Sequence, residues 1–180
     1  MRHFIIPPIT VLLLFVLTGC ASPPTFENNG SQPLKSESEF GVMTAQPDVF
    51  QGRAVRLAGR IVGVESTDQG TMVTAEWLPY PQTEYEGPED AGMVALDRFV
   101  FFYPGKLDTE GSLHGNKFLV IGKKEGVQSL VNFGGTYDEF PYISARCLHV
   151  WKTGDAPIET QPDVEFTGYP VAEQTYCANT

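Results

Sequence analysis

Arg53-Ala54-Val55-Arg56-Leu57-Ala58-Gly59-Arg60-Ile61-Val62-Gly63-Val64 decides the fold. Val55, Leu57, Gly59 and Ile61 point one way; Arg56, Ala58 and Arg60 point the other. A period of two marks a half-buried strand. Gly59 and Gly63 inside it predict bends or bulges that curl a sheet. Thr67-Asp68-Gln69-Gly70 is a turn, and Thr71 to Leu78 alternates again with Val73, Ala75 and Trp77 on one face. The pair reads as a hairpin.

Three further strand signals follow. Phe99 to Tyr103 is short and aromatic, stopped by Pro104-Gly105. Lys117 to Gly122 holds Phe118-Leu119-Val120-Ile121, an unbroken apolar run that reads as buried on both faces. It continues less regularly to Gln128. Tyr142 to Trp151 is the last. Ser129 to Phe140 reads as a glycine-rich loop, and Pro79 to Asp90 as a long proline-containing insertion. Five short strands, many glycines and no long helical period predict an all-β domain. The economical closure is a five-stranded OB-like barrel, closed or partly open; a sandwich of two small sheets is the alternative. Val55, Leu57, Ile61, Val73, Val120 and Ile143 are its expected core.

The flanks are different in kind. Arg2 and His3 precede an uncharged run from Phe4 to Leu17, and Leu17-Thr18-Gly19-Cys20 ends it. That is the layout of a secretory signal. The run is too short, and too broken by Pro7-Pro8, for a spanning helix of roughly 18–20 residues. The Leu17 to Cys20 ending resembles the lipobox of bacterial lipoproteins. That resemblance implies cleavage before Cys20 and a lipid on its sulfur. It also implies, through Ala21 where retained lipoproteins carry Asp, sorting to the outer membrane. The expected division is a signal peptide over 1–19, a flexible tether over 20–39, the barrel domain over 40–151 and an irregular acidic tail over 152–180. Within 40–52, Pro47 opens a short helical turn and Gly52 closes it.

The 180 residues carry a net charge of −10. Without residues 1–19 one Arg is lost, and 11 Lys+Arg against 22 Asp+Glu leave −11. Such a surface repels phosphate backbones, so nucleic acid is not an expected partner. It also places membrane attachment on the Cys20 lipid rather than on a basic patch.

Several pieces then resemble one family in order. They are the lipobox, Pro47 to Gly52 leading into Val55 to Ile61, Trp77-Leu78-Pro79-Tyr80-Pro81, and Tyr103-Pro104-Gly105-Lys106-Leu107-Asp108. After them come Asn116 to Gly122, Phe140-Pro141-Tyr142, and Cys147-Leu148-His149-Val150-Trp151. Over about residues 11–151 the chain resembles the Slp family of outer-membrane lipoproteins, associated with starvation and stationary phase. The resemblance implies localisation and fold, and no reaction.

Catalytic signatures are weak throughout. No G-x-S-x-G elbow occurs. His114 and His149 lack metal-ligand spacing. The insertion acids Glu84, Glu86, Glu89 and Asp90 lack the calcium-loop pattern. Asp48, Asp68, Glu76, Asp97 and Asp108 stand singly at strand ends and turns. No catalytic residue, metal or cofactor is assigned. Cys20 is the lipidation site. Cys147 and Cys177 are the two remaining thiols, and in an oxidising compartment they are candidates for a disulfide. The other reading is a buried free Cys147 and an unrelated Cys177. The rings of Trp77, Tyr80, Tyr103 and Trp151, with Tyr85 and Phe101, are candidates for a ligand groove of the stacking kind. The alternative is that they fill the core. The expected function is a non-catalytic, lipid-anchored envelope protein whose barrel binds a protein or glycan partner. The other class in view is a hydrolase or other enzyme acting on envelope polymers.

Overall fold

The computed structural model describes residues 31–89, 97–108, 113–131, 135–154 and 172–178. Along the chain these form β1 (Gln32–Pro33), α1 (Glu37–Ala45), α2 (Pro47–Phe50), β2 (Ala54–Thr67) and β3 (Gly70–Leu78). A 3₁₀ turn (Glu84–Glu86), β4 (Arg98–Tyr103), β5 (Lys117–Val131), β6 (Tyr137–Trp151) and β7 (Glu173–Cys177) follow.

Five strands close into a barrel. Hydrogen bonding runs β2-β3-β4-β6-β5, and β5 returns to β2. All contacts are antiparallel except β4 with β6, which is parallel. Counted within the barrel alone, the cyclic order is that of an OB barrel. β1 and β7 lie outside it, on β2 and β6.

Curvature comes from the places where a side chain is missing or an extra residue enters. The β2–β3 register shifts between Ile61 and Gly63. At Gly59 a Cβ would stand 2.5 Å from the Glu76 carbonyl oxygen and 2.9 Å from Phe118. Only glycine allows β2 to bend so closely over β3. Gly122 does the same on β5, where a Cβ would stand 2.4 Å from the Ser144 carbonyl oxygen. It sits at the second register shift, between β5 and β6.

Inside, Val55, Leu57, Ile61, Val73, Val120 and Ile143 are all buried. Phe99, Phe101 and Phe118 fill the middle, with centroids 5.2 to 6.3 Å apart. Phe40 of α1 plugs one end against Trp77 at 5.3 Å and Phe99 at 6.0 Å. α1 starts at a capping box, in which the Ser36 hydroxyl accepts from the Glu39 amide and the Glu39 carboxylate accepts from the Ser36 amide. The Lys35 amide donates to the same carboxylate at 2.8 Å, and with the Ser36 amide it holds the Glu39 carboxyl below its ordinary range.

Three expectations are corrected. The segment expected to be tether is structured from residue 31. Leu34 is wholly buried, β1 pairs with β2, and α1 begins before Phe40. The sequence hides α1 because it buries only Phe40 and Met43 and carries Gly41. The expected loop Ser129 to Phe140 is mostly strand, since β5 reaches Val131 and β6 starts at Tyr137. The expected irregular tail contains β7, whose five residues are too short and too polar to show a period. Residues 1–30 and most of 152–180, including 155–171, lie outside the described residues, as do Asp90 and the side chain of Tyr85.

Candidate functional site

The outward side chains of β2, β5, β6 and β7 line up in rows. Arg56, Ile121, Cys147 and Cys177 are successive partners across the four strands. Ala58, Leu119, His149 and Thr175 form the next row, and Arg60, Lys117, Trp151 and Glu173 the third. This explains why Lys117 to Gly122 reads as apolar on both sides. Phe118 and Val120 enter the barrel core, while Leu119 and Ile121 join an outer cluster with Ala58, Tyr80 and Trp151.

The connection after β3 straps across that cluster. Tyr80 lays its ring on it and donates its hydroxyl to Glu84 at 2.6 Å. Arg56 donates to the same Glu84 oxygen at 2.9 Å, with its guanidinium 5.4 Å from the Tyr80 centroid. Burial, then the Glu84 carboxylate, push the Tyr80 hydroxyl far above the ordinary tyrosine range. This face is therefore covered by the protein's own chain.

β7 covers the neighbouring edge. Cys147 and Cys177 are direct partners across β6 and β7, joined by a disulfide with Cα atoms 4.1 Å apart. His149 is bracketed by Thr175 at Nδ1, 2.7 Å, and Glu173 at Nε2, 3.1 Å. Its edge also meets Trp151 at 4.4 Å. Tyr176 turns inward, packs edge-on against Tyr103 at 6.2 Å and accepts from the Asp108 amide. β7 thus fills the gap where β4 and β6, paired only from Val100 to Phe102, part company.

The four aromatic groove candidates are not brought together. Trp77 and Tyr103 face the interior at opposite ends of the barrel. Tyr80 and Trp151 share the outer cluster under the strap. None is more than 6% exposed, so no stacking platform forms from them. A small barrel uses its large rings as filling, and that demand outweighs ligand stacking here. Cys20 lies outside the described residues.

An open cleft of about 580 Å3 lies elsewhere, on the outward face of β2, β3 and β4. Arg60, Val62, Gly63, Thr74, Glu76, Arg98 and His114 line it. Glu76 sits between two arginines. Its Oε2 accepts from Arg60 Nη2 at 2.9 Å and Nε at 3.3 Å, and its Oε1 is 3.6 Å from Arg98 Nη2. Two guanidinium groups thus meet one carboxylate in the cleft of a strongly acidic chain. Arg98 is about half exposed and keeps donors toward solvent. Sequence reading treats Arg60 only as the polar face of a strand and Glu76 as a solitary acid. The signal was present in the alternation: Arg60, Glu76 and Arg98 occupy the outward positions of three adjacent strands. Which strands are neighbours is what the alternation does not say.

Among the described residues no three His, Cys, Asp or Glu side chains gather as a metal site, and Cys147 is held in its disulfide. The cleft offers hydrogen-bond donors and charge.

Residues 17–176 match the model of a family described as the outer membrane lipoprotein Slp family. No curated protein and no solved structure matches the chain. The family match begins at Leu17, the first residue of the lipobox-like ending, and runs through the barrel to Tyr176 of β7. It extends past Trp151, where the sequence motifs stop, to include β7, which pairs with β6. The chain is thus a member of the Slp family of outer membrane lipoproteins, lipid-anchored at that membrane.

Proposed function

We propose that residues 1–19 are removed as a signal peptide, that Cys20 carries the anchoring lipid, and that the barrel faces the periplasm as a non-catalytic module binding an envelope protein or glycan. The observation that carries the binding role is the cleft on β2, β3 and β4, with Glu76 held between Arg60 and Arg98. Its position supports the reading, since the outward face around the second and third strands is where OB barrels take extended oligomers. Its chemistry supports it too. The half-exposed Arg98 guanidinium suits the carboxylates of acidic sugars or of peptide side chains. The long negative backbone of nucleic acid is disfavoured by the rest of the surface.

A photo-reactive amino acid in place of Val62, in cells making the lipidated protein, tests this reading. The expected result is a light-dependent adduct with an envelope protein or glycan that is lost when Arg60 and Arg98 are both changed to Ala. No adduct, or an adduct indifferent to those two changes, contradicts the cleft as the binding site.

A further inference from the structure

Beyond the barrel, β5 and β6 continue as a two-stranded ribbon. β5 is paired with β2 only as far as Ala54↔Lys123, and β6 with β4 only from Tyr142 onward. From Val127↔Pro141 to Val131↔Tyr137 the two strands pair with each other alone. Five such pairs, at about 3.4 Å per residue, carry the ribbon about 17 Å outward.

The composition of this ribbon is unlike the rest of the surface. Val127, Val131 and Tyr137 are 45%, 62% and 72% exposed. They share one face, since Val127, Ser129 and Val131 are every second residue of β5 and Tyr137 is the direct partner of Val131. Val131 and Tyr137, the outermost described pair, are the two most exposed large apolar side chains among the described residues. Residues 129–137 contain no charge, in a chain of net −10. Asp138 and Glu139 stand immediately behind them.

Direction gives the ribbon its meaning. β1 is parallel to β2, with Gln32 beside Val55 and Pro33 beside Arg56. The chain therefore arrives at Gln32 from beyond the Ala54 end of β2. Ala54 pairs with Lys123, the last β5 residue beside β2 before the strand runs out into the ribbon. The incoming chain and the outgoing ribbon leave the barrel at the same end. Cys20 lies eleven positions before Ser31 in sequence. At no more than about 3.6 Å per residue, Ser31 stays within about 40 Å of the Cα of Cys20.

We propose that the ribbon tip, Val131 and Tyr137 foremost, rests in the headgroup–acyl interface of the bilayer that holds the Cys20 lipid. A tyrosine suits that depth, because its ring is apolar and its hydroxyl stays wet. The uncharged tip avoids the repulsion that the acidic remainder of the domain meets at anionic headgroups. Asp138 and Glu139 stop the insertion at the interface. The barrel is then fixed to the membrane at two points, which sets its orientation and turns the opposite end, with the β2–β3 turn at Asp68, away from the lipid. The proposal rests on the Cys20 anchor.

The test uses the full lipidated protein in vesicles of phosphatidylethanolamine and phosphatidylglycerol. Cys147 and Cys177 are joined and Cys20 carries lipid, so an introduced cysteine takes the fluorophore. Val131→Cys reports the tip and Asp68→Cys the opposite end; both positions are exposed, so folding is preserved. A nitroxide-labelled phospholipid is the quencher, and flotation of the vesicles checks the anchor separately. The expected result is several-fold stronger quenching at 131 than at 68, reduced toward the value at 68 when Tyr137→Asp is added. Equal quenching at both sites with flotation intact overturns the proposal and leaves the anchor standing. Shielding of position 131 only after outer-membrane proteins are added, or in detergent as protein concentration rises, overturns it in favour of a protein partner or a second copy. Failure to float overturns the anchor, and the proposal with it.

Discussion

Glu84 holds the strap to the barrel by accepting from both the Tyr80 hydroxyl and Arg56 on one oxygen. Removing the hydroxyl in Tyr80→Phe leaves the ring in place and takes away one charge-assisted bond, a loss of about 1–2 kcal/mol at neutral pH. The pH dependence has a definite sign. Burial and Glu84 raise the Tyr80 hydroxyl above its ordinary value, so the folded state keeps a proton that the unfolded state gives up near pH 10. The contribution is complete below about pH 10 and is lost as pH rises above it. Tyr103 and Tyr142 are also raised, chiefly by burial, and act in the same direction. Urea midpoints measured at pH 8 and pH 11 check this: the wild type is expected to lose more stability between them than Tyr80→Phe does. Equal losses mean that the Tyr80 hydroxyl is not the buried group the contacts describe. Residue identity alone shows Tyr80 as a candidate ring on a groove and Glu84 as one of several loop acids. Their pairing depends on the strap crossing back over β2, and no period in Pro79 to Asp90 encodes that crossing.

The strands were legible wherever one face is buried. β2, β3, β4 and the barrel part of β5 and β6 show alternation or an apolar run because the core selects every second residue. The elements that were not legible lack that selection. α1 buries two side chains, the ribbon buries almost none, and β7 lays a polar strip along β6. β7 is attached by five backbone pairs, by Tyr176 against Tyr103, and by the Cys147–Cys177 disulfide. The disulfide closes a loop of 30 residues, worth about 3–4 kcal/mol in the chain-entropy model. Replacing both cysteines by serine is expected to raise amide exchange across Glu173 to Cys177 and at Tyr176 in particular. Lys117 to Lys123, paired on both sides by β2 and β6, is expected to stay protected. Exchange measured by mass spectrometry decides it. If the barrel strands lose protection together with β7, then β7 is part of the cooperative barrel and not an outer addition.

At the scale of the molecule, closure follows from β2. It pairs with both β3 and β5, and its bend at Gly59 lets one strand serve both neighbours. The five barrel strands and their closure could be read from the sequence. The parallel contact of β4 with β6 that completes the ring could not, because it joins residues about 40 apart with no local signal. The same holds for the cleft, assembled from β2, β3 and β4, and for the common end shared by the incoming chain and the ribbon. What the sequence carries without any fold is the ending at Cys20. On it rests the claim that this barrel works while hung from a membrane by lipid. The direct test is metabolic labelling with palmitate, followed by separation of the membranes, for the wild type and Cys20→Ser. The wild type is expected to carry label and to fractionate with the outer membrane. Cys20→Ser is expected to lack label, to keep residues 1–19, and to be absent from that fraction. Label on Cys20→Ser equal to that on the wild type contradicts the account.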